Sequence, residues 1–380
     1  MPAPVATDAA LPDRPYSPWD TLLPRSWAPA ADTRNDAVRI GATTGGVDVL
    51  GRHAWNAAAL WRFGGGEGDA PDSRHRALPD WWVGYAYDRW RTALFAIASD
   101  ETSFLPRYAP DGRRLDDAEV RERHASVGAA VPWMKVRHRQ LLEASFDYDR
   151  QTITATEGTR RLSRHSIRAA WLFTSAKAYG YSIGPEEGGA LSLATEQVRE
   201  ALGADGDAQA WIGQARWYQR VGGRHSVLAV RAGAGESSGE QGVRRIFYLG
   251  GSDPSPLVDY GSEAVAMLRG VEPLAYRGRR VAGASVEYRL PLVRVERGWR
   301  TFPLFLRTLH AAVFADAGHA WTEDFAWGDV KSSLGAEFSA DVVAGFGLPL
   351  TVTGGVAWAR DGATGQRLGT AAYVRLGRSF

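Results

Sequence analysis

The sequence predicts an all-β fold, a transmembrane antiparallel β-barrel of about sixteen strands. Three observations lead there. Segments in which apolar and polar residues alternate recur from Val38 to the end of the chain, as in Gln140 to Asp149, where Leu142, Ala144, Phe146 and Tyr148 oppose Glu143, Ser145, Asp147 and Asp149. No apolar run reaches the roughly twenty residues a membrane helix needs, whereas a barrel strand needs only about ten alternating residues. Counts of 43 Gly, 15 Trp and 13 Tyr in 380 residues suit the turns, bends and interfacial girdles of such a protein.

Composition also excludes. With 44% hydrophobic residues the chain can bury a large core, so general disorder is out. The 45 basic and 43 acidic residues leave a net charge of +2, which points to no nucleic-acid partner. Cysteine is absent, which removes disulfides, zinc–thiolate sites and cysteine nucleophiles.

In order along the chain, residues 1–35 read as a connector: prolines at 15, 18 and 24 break regular structure and Tyr16, Trp19 and Trp27 anchor it. Residues 36–380 read as the barrel. Met1 to Asp8 lacks the charged and apolar regions of a secretion signal, so the expectation is a fragment or mature portion of a longer exported chain. Val38–Val49 and His53–Phe63 make a first hairpin; Asp80–Trp90 and Thr92–Asp100 follow, with Trp81, Val83, Tyr85 and Tyr87 on one face as an aromatic belt. Further strands are expected near 120–133, 140–149, 164–178, 188–199, 208–219, 224–235 and 243–250. Long breaks near 101–118, 151–163 and 251–279 would lie on the external side, and short turns such as Gly222-Gly223 on the other. Strands over 283–292, 308–318, 332–343, 348–359 and 367–380 complete the set.

The long connection over 251–279 separates two strongly alternating segments, and a loop of that length usually has a task. In Gly283–Leu292 the polar face carries Ser285, Glu287 and Arg289; in the next strand His310, Phe314 and Asp316 share a face. Glu287 and Asp316 can therefore sit on one side of one sheet, where Arg269 of the connection, a planar cation, can bridge both.

Four elements in this order, the Leu249-Gly-Gly251 strand end, Arg269-Gly270, Glu287-Tyr-Arg-Leu-Pro-Leu292 and Phe314-Ala-Asp-Ala-Gly318, resemble the C-terminal barrel of the BamA-type outer-membrane assembly and translocation proteins, the bacterial surface antigen family. The resemblance implies a plug loop folded inward between strands 11 and 12, with Arg269 and Gly270 as its tip. Asp316 would be the arginine's partner, Glu287 a second partner and Gly318 the end of the strand motif. Lys331 to Glu337 and the terminal Phe380 also fit, whereas Val271 stands where the family places an aromatic residue. The resemblance further implies a lateral gate between the first and last strands, here Val38–Val49 and Leu368–Phe380, and the terminal Phe380 resembles the signal read by the outer-membrane insertion machinery; Gly377 reads as a kink in the last strand or as a plain packing accommodation. The segment Arg14 to Pro24 resembles the joint between a TolB-like β-propeller and such a barrel.

The expected role is non-enzymatic and set in the bacterial outer membrane, with both termini periplasmic. Either polypeptides are inserted into or moved across that membrane, or the barrel is a passive anchor for an upstream exported domain such as a propeller. Lipid, client polypeptides or a periplasmic partner are the expected contacts; no cofactor, metal or catalytic residue is expected. Gly180-Tyr-Ser-Ile-Gly184 matches a serine-hydrolase elbow, but Gly184-Pro185 stands where a helix should begin. His310 and His319 flank Asp316 and are read as lumenal hydrogen-bonding groups; Asp205-Gly-Asp207 reads as a solvated turn.

Overall fold

The computed structural model describes residues 15–32, 38–63, 78–108, 114–223, 225–252, 264–298, 300–345 and 347–377. Eleven strands come after a helical turn at Trp19–Leu22: β1 (Trp27–Asp32), β2 (Val38–Val47), β3 (His53–Phe63), β4 (Asp80–Tyr87), β5 (Ala93–Tyr108), β6 (Arg114–Met134), β7 (Arg139–Ala155), β8 (Gly158–Thr174), β9 (Gly188–Val198), β10 (Ala208–Arg220) and β11 (Val227–Gly239). Three short strands come next: β12 (Phe247–Leu249), β13 (Ala264–Ala266) and β14 (Tyr276–Gly278). The chain ends with β15 (Arg280–Gly298), β16 (Leu304–Trp321), β17 (Lys331–Ala344), β18 (Leu348–Arg360) and β19 (Arg367–Gly377). Sixteen strands form one sheet in the order β1 to β11, then β15 to β19; β13, β12 and β14 form a separate sheet of three.

The number sixteen agrees with the sequence reading, but two members differ. Residues 243–250 supply no strand to the large sheet. Their alternation comes from Phe247 and Leu249 being buried in the small sheet, 2% and 0% exposed. The place is taken by β1, which pairs with β2 from Trp27↔Thr44 to Asp32↔Arg39, so the sheet begins inside the segment read as a connector. Pro29 sits in this terminal strand, the position in a sheet that tolerates a residue without an N–H. As a result β2 is paired on both sides, and Val38–Val49 is not the first strand of the sheet.

Where the structure describes them, the breaks expected near 101–118 and 151–163 are strand instead: β5 reaches Tyr108, β6 starts at Arg114, residues 109–113 lie outside the described residues, and only residues 156–157 separate β7 from β8. These stretches carry charges on both faces, as in Asp116, Asp117, Glu119, Arg121 and Glu122, so the backbone stays extended while the apolar alternation vanishes. Further on, β15 passes two register shifts, between Pro291 and Val293 and between Arg294 and Arg297, and thereby runs beyond the expected end at Leu292.

The chain divides into two compact units, residues 1–125 with 153–159 and residues 126–152 with 160–380. In the first, Arg39 is 4% exposed and is held by Asp80 (Nε to Oδ2, 2.8 Å) and the carbonyl of Thr102 (2.6 Å). Trp81, Val83 and Tyr85 of the same unit lie on an exposed face. In the second unit the two faces of the strands are opposite in character. Asp147, Asp149, Arg164, Arg168, Glu196, Glu287, Asp316 and Glu337 are buried, while Phe146, Ile167, Leu193, Trp211, Val313, Leu334, Phe338, Trp358 and Val374 are exposed.

The small sheet packs on the charged face of the second unit. Phe247, Leu249, Val265 and Leu268 join Ala170, Ala194, Ala210, Ile212 and Val281 in one apolar cluster. Alanines on neighbouring strands leave a shallow floor that the larger side chains of the connection fill; each fully buried Leu or Phe contributes about 1.5–3 kcal/mol.

Candidate functional site

Register brings the expected carboxylates onto one face. Ser285 lies opposite Asp316 and Glu287 opposite Phe314 across β15 and β16, so Glu287 and Asp316 are diagonal neighbours. Across β16 and β17, Asp316 faces Ser333, Phe314 faces Gly335 and Ala312 faces Glu337.

Into this face the β11–β15 connection inserts Arg269, 1% exposed. Its Nε and Nη2 donate to the two oxygens of Asp316 at 2.8 and 2.6 Å, a bidentate pair, and its backbone N–H donates to Asp316 Oδ2 at 3.1 Å. Nη1 reaches Glu287 Oε1 at 2.9 Å and Glu337 Oε1 at 3.4 Å, and Nη2 also reaches Ser285 Oγ at 2.9 Å. The guanidinium lies 3.4 Å over the centroid of the Phe314 ring, a cation–π contact that uses the face left free by the hydrogen bonds. Burial opposes the charged form of Arg269, but the hydrogen bonds to Asp316 and the field of Glu287, Asp316 and Glu337 outweigh it, and its pKa is held above the ordinary value.

Glycines make the approach possible. Gly270 has φ +92°, and a Cβ there would stand 3.1 Å from the Cβ of Ala357 on β18. Gly318 leaves room for Leu249, whose Cδ1 would lie 3.0 Å from an added Cβ. Val271, where the resemblance implied an aromatic, packs against the apolar cluster of the small sheet.

Charges balance around the arginine. Arg289 grips Glu287 Oε2 through Nε (2.9 Å) and Nη2 (2.6 Å); Arg375 Nη2 lies 3.5 Å from Glu337 Oε2, and Tyr373 donates to Glu337 Oε1 at 2.7 Å. Three arginines thus meet three carboxylates, which is how buried charge is tolerated. The structure brings Arg269, Gly270, Glu287, Asp316 and Gly318 together. Ser285, Phe314, Ser333, Glu337 and Tyr373 also belong to the cluster and are not identifiable as partners from motif order, although Glu337 ends the Lys331 stretch that fits the family pattern. Gly377 is the last residue of β19 and pairs with Thr351, and Phe380 lies outside the described residues.

A second arginine of the same connection, missed in the sequence, docks elsewhere on this face. Arg245, 5% exposed, donates to Glu196 Oε2 on β9 from Nε and Nη2 at 3.2 and 3.0 Å. Glu196 also receives Arg164 Nη2 (2.8 Å) and Arg168 Nη2 (2.8 Å), and Arg168 continues to Asp147 and Asp149. No spacing signal identifies Arg245, because it falls in a stretch that reads as a strand.

The remaining sequence candidates resolve differently. Ser182 Oγ donates to Glu186 Oε1 at 2.6 Å, and His225 Nδ1 lies 2.7 Å from that same oxygen. The carboxylate therefore stands between hydroxyl and imidazole, the wrong order for a base-activated nucleophile. His319 is one of the odd-numbered residues of β16 and lies on the face opposite Asp316, stacked on Trp321 at 5.4 Å and 9°; it is not a neighbour of the latch, contrary to the sequence reading. His310 Nε2 lies 3.5 Å from Asp341. Asp205 and Asp207 accept backbone N–H groups of Ser163 (2.7 Å) and Glu200 (2.8 Å), which explains their spacing as loop ties. Among the described residues no three His, Asp or Glu side chains converge as metal ligands.

No protein-family model matches the chain, and no curated protein matches it. Among solved structures it is similar to BamA from Haemophilus ducreyi lacking POTRA domains 1-3, at 12% identity over 94% of this chain and 75% of that one, with a TM-score of 0.56. Pseudomonas aeruginosa OccK10 (OpdN) aligns at 12% identity over 93% of this chain and 95% of that one, with a TM-score of 0.34, too low to bear on the fold. The BamA likeness concerns fold alone: one large antiparallel sheet of sixteen strands, as a β-barrel of the outer-membrane type is built.

Proposed function

We propose that the chain is an outer-membrane β-barrel whose β11–β15 connection is an inward-folded plug latched by Arg269, and that it takes part in inserting polypeptides into the outer membrane or moving them across it. The observation that carries the membrane reading is the inversion of burial. Leu334, Phe338, Trp358 and Val374 are 62%, 50%, 52% and 76% exposed, while Glu287, Asp316 and Glu337 are 6%, 3% and 8% exposed. Water would penalise that arrangement and hydrocarbon favours it. Closure, which joins β1 to β19, belongs to the proposal and leaves no unpaired edge in lipid. An even number of strands returns the chain to the side on which it began, which suits periplasmic termini.

For polypeptide handling, the support is the BamA-like fold together with a plug held by polar contacts that can be exchanged. The gate then lies between β1 and β19. A passive anchor for an exported domain is the second reading; two buried arginine clusters pinning one connection favour a barrel that stays shut. Reconstitution into vesicles separates the two. An insertase accelerates membrane assembly of an added unfolded outer-membrane polypeptide, and a cross-link between β1 and β19 abolishes the effect. An anchor leaves that rate unchanged from empty vesicles.

A further inference from the structure

Between β10, β11 and β15, beneath the small sheet, lies a cavity of about 30 Å³ that meets the Arg269 cluster only at Ser285. Its floor comes from register: Arg216 lies opposite Arg231 and Gln214 opposite Gly233 across β10 and β11, and Arg231 lies opposite Ser285 across β11 and β15. The connection forms the roof with Val265, Ala266 and Met267. The fit is close, because a Cβ on Gly233 would come within 2.7 Å of the Val265 carbonyl oxygen. The cavity therefore exists only while the connection is docked.

Gln214, 6% exposed, buries Nε2 with no hydrogen-bond partner among the described residues, and Arg231 buries Nε likewise. An Arg side chain has no acceptor, and both atoms concerned are donors. The nearby carboxylate, Glu287, is committed on one oxygen to Arg269 and on the other to Arg289. Ser285 Oγ accepts from Arg269 Nη2 and keeps its own proton to give. Buried donors left unanswered are costly, so a guest that only accepts is favoured over water, which must also donate.

We propose that this cavity binds one small inorganic anion of halide size, held by Arg231, Gln214 and Ser285. A water molecule needs at least about 10–15 Å³ of such space, so the volume admits a guest of that class. Because the roof is the connection itself, the anion binds only the docked state and stabilises docking by mass action. Ser285 ties the site to the Arg269 cluster, so occupancy and the latch reinforce one another. The site requires the docked connection and is independent of any role in polypeptide handling.

The experiment compares thermal unfolding of the full refolded chain in sodium chloride and in sodium gluconate at equal ionic strength, gluconate being too large to enter. The expected result is a higher midpoint in chloride, with the difference lost in Arg231→Gln and in Gln214→Leu. Crystals grown in sodium bromide should show an anomalous peak between Arg231 and Gln214. Equal midpoints in the two salts, or a chloride difference that survives both substitutions, overturns the proposal. Should neither variant fold, the two-salt comparison and the bromide peak on the parent still decide.

Discussion

Arg269 concentrates much of the site in a single side chain. Replacing it with Ala leaves Asp316 buried without its cation and Glu287 with Arg289 alone, and breaking a buried pair from one side costs about 3–5 kcal/mol. Arg269→Ala should therefore lower unfolding stability by that order, read from a denaturant titration of the folded band on unheated gels; an unchanged midpoint removes the latch. Gly270→Ala should cost about 1–3 kcal/mol by the same assay, since it forces a side chain into φ +92° beside Ala357. Much of this site is legible in the sequence: period-2 alternation plus motif order places Arg269, Glu287 and Asp316. Glu337, Ser285 and Phe314 are within reach of the same alternation, because register carries them to the same face. Arg245 and Tyr373 are not, since their partners depend on how a long connection and the last strand lie across the sheet.

Among the elements, the connections decide what alternation alone cannot. Residues 243–250 alternate as a strand should, yet Phe247 and Leu249 are buried by the small sheet, whereas Trp27–Asp32, with its proline and polar flanks, carries little pattern and nevertheless pairs with β2. Strand number is thus readable, and strand identity at these two places is not. Two pins on one connection make a further expectation. Glu196→Gln should weaken the Arg245 end and raise protease cleavage within 240–250, while the Arg269 end stays protected; cleavage at both ends would mean that the connection docks as one unit. The β8–β9 connection has a pH signature. Burial raises the Glu186 pKa, but hydrogen bonds from Ser182 and His225 and the charges of His225 and Arg220 outweigh it, so its folded pKa lies below the ordinary Glu value. A lowered carboxylate pKa stabilises above the ordinary value and stops doing so as pH falls through the folded one. Pepsin should spare residues 177–187 near the ordinary Glu pKa and cut there on further acidification, and Glu186→Gln should remove that dependence. Cleavage that tracks pH equally in both proteins contradicts it.

For the whole molecule, the proposed barrel in lipid rests on the inverted burial of the second unit and on a fold similar to that of BamA. Alternation repeated many times is hard to produce otherwise, and apolar exposure is what turns alternation into a membrane face. Ion conductance of the refolded protein in planar bilayers tests the plugged barrel most directly. The parent is compared with Arg269→Ala and with a deletion of residues Leu268 to Tyr276. A latched plug should give small, flickering conductance in the parent that rises in both variants as the plug loosens or is lost. A protein that never enters the bilayer, or a deletion that conducts no more than the parent, would rule it out.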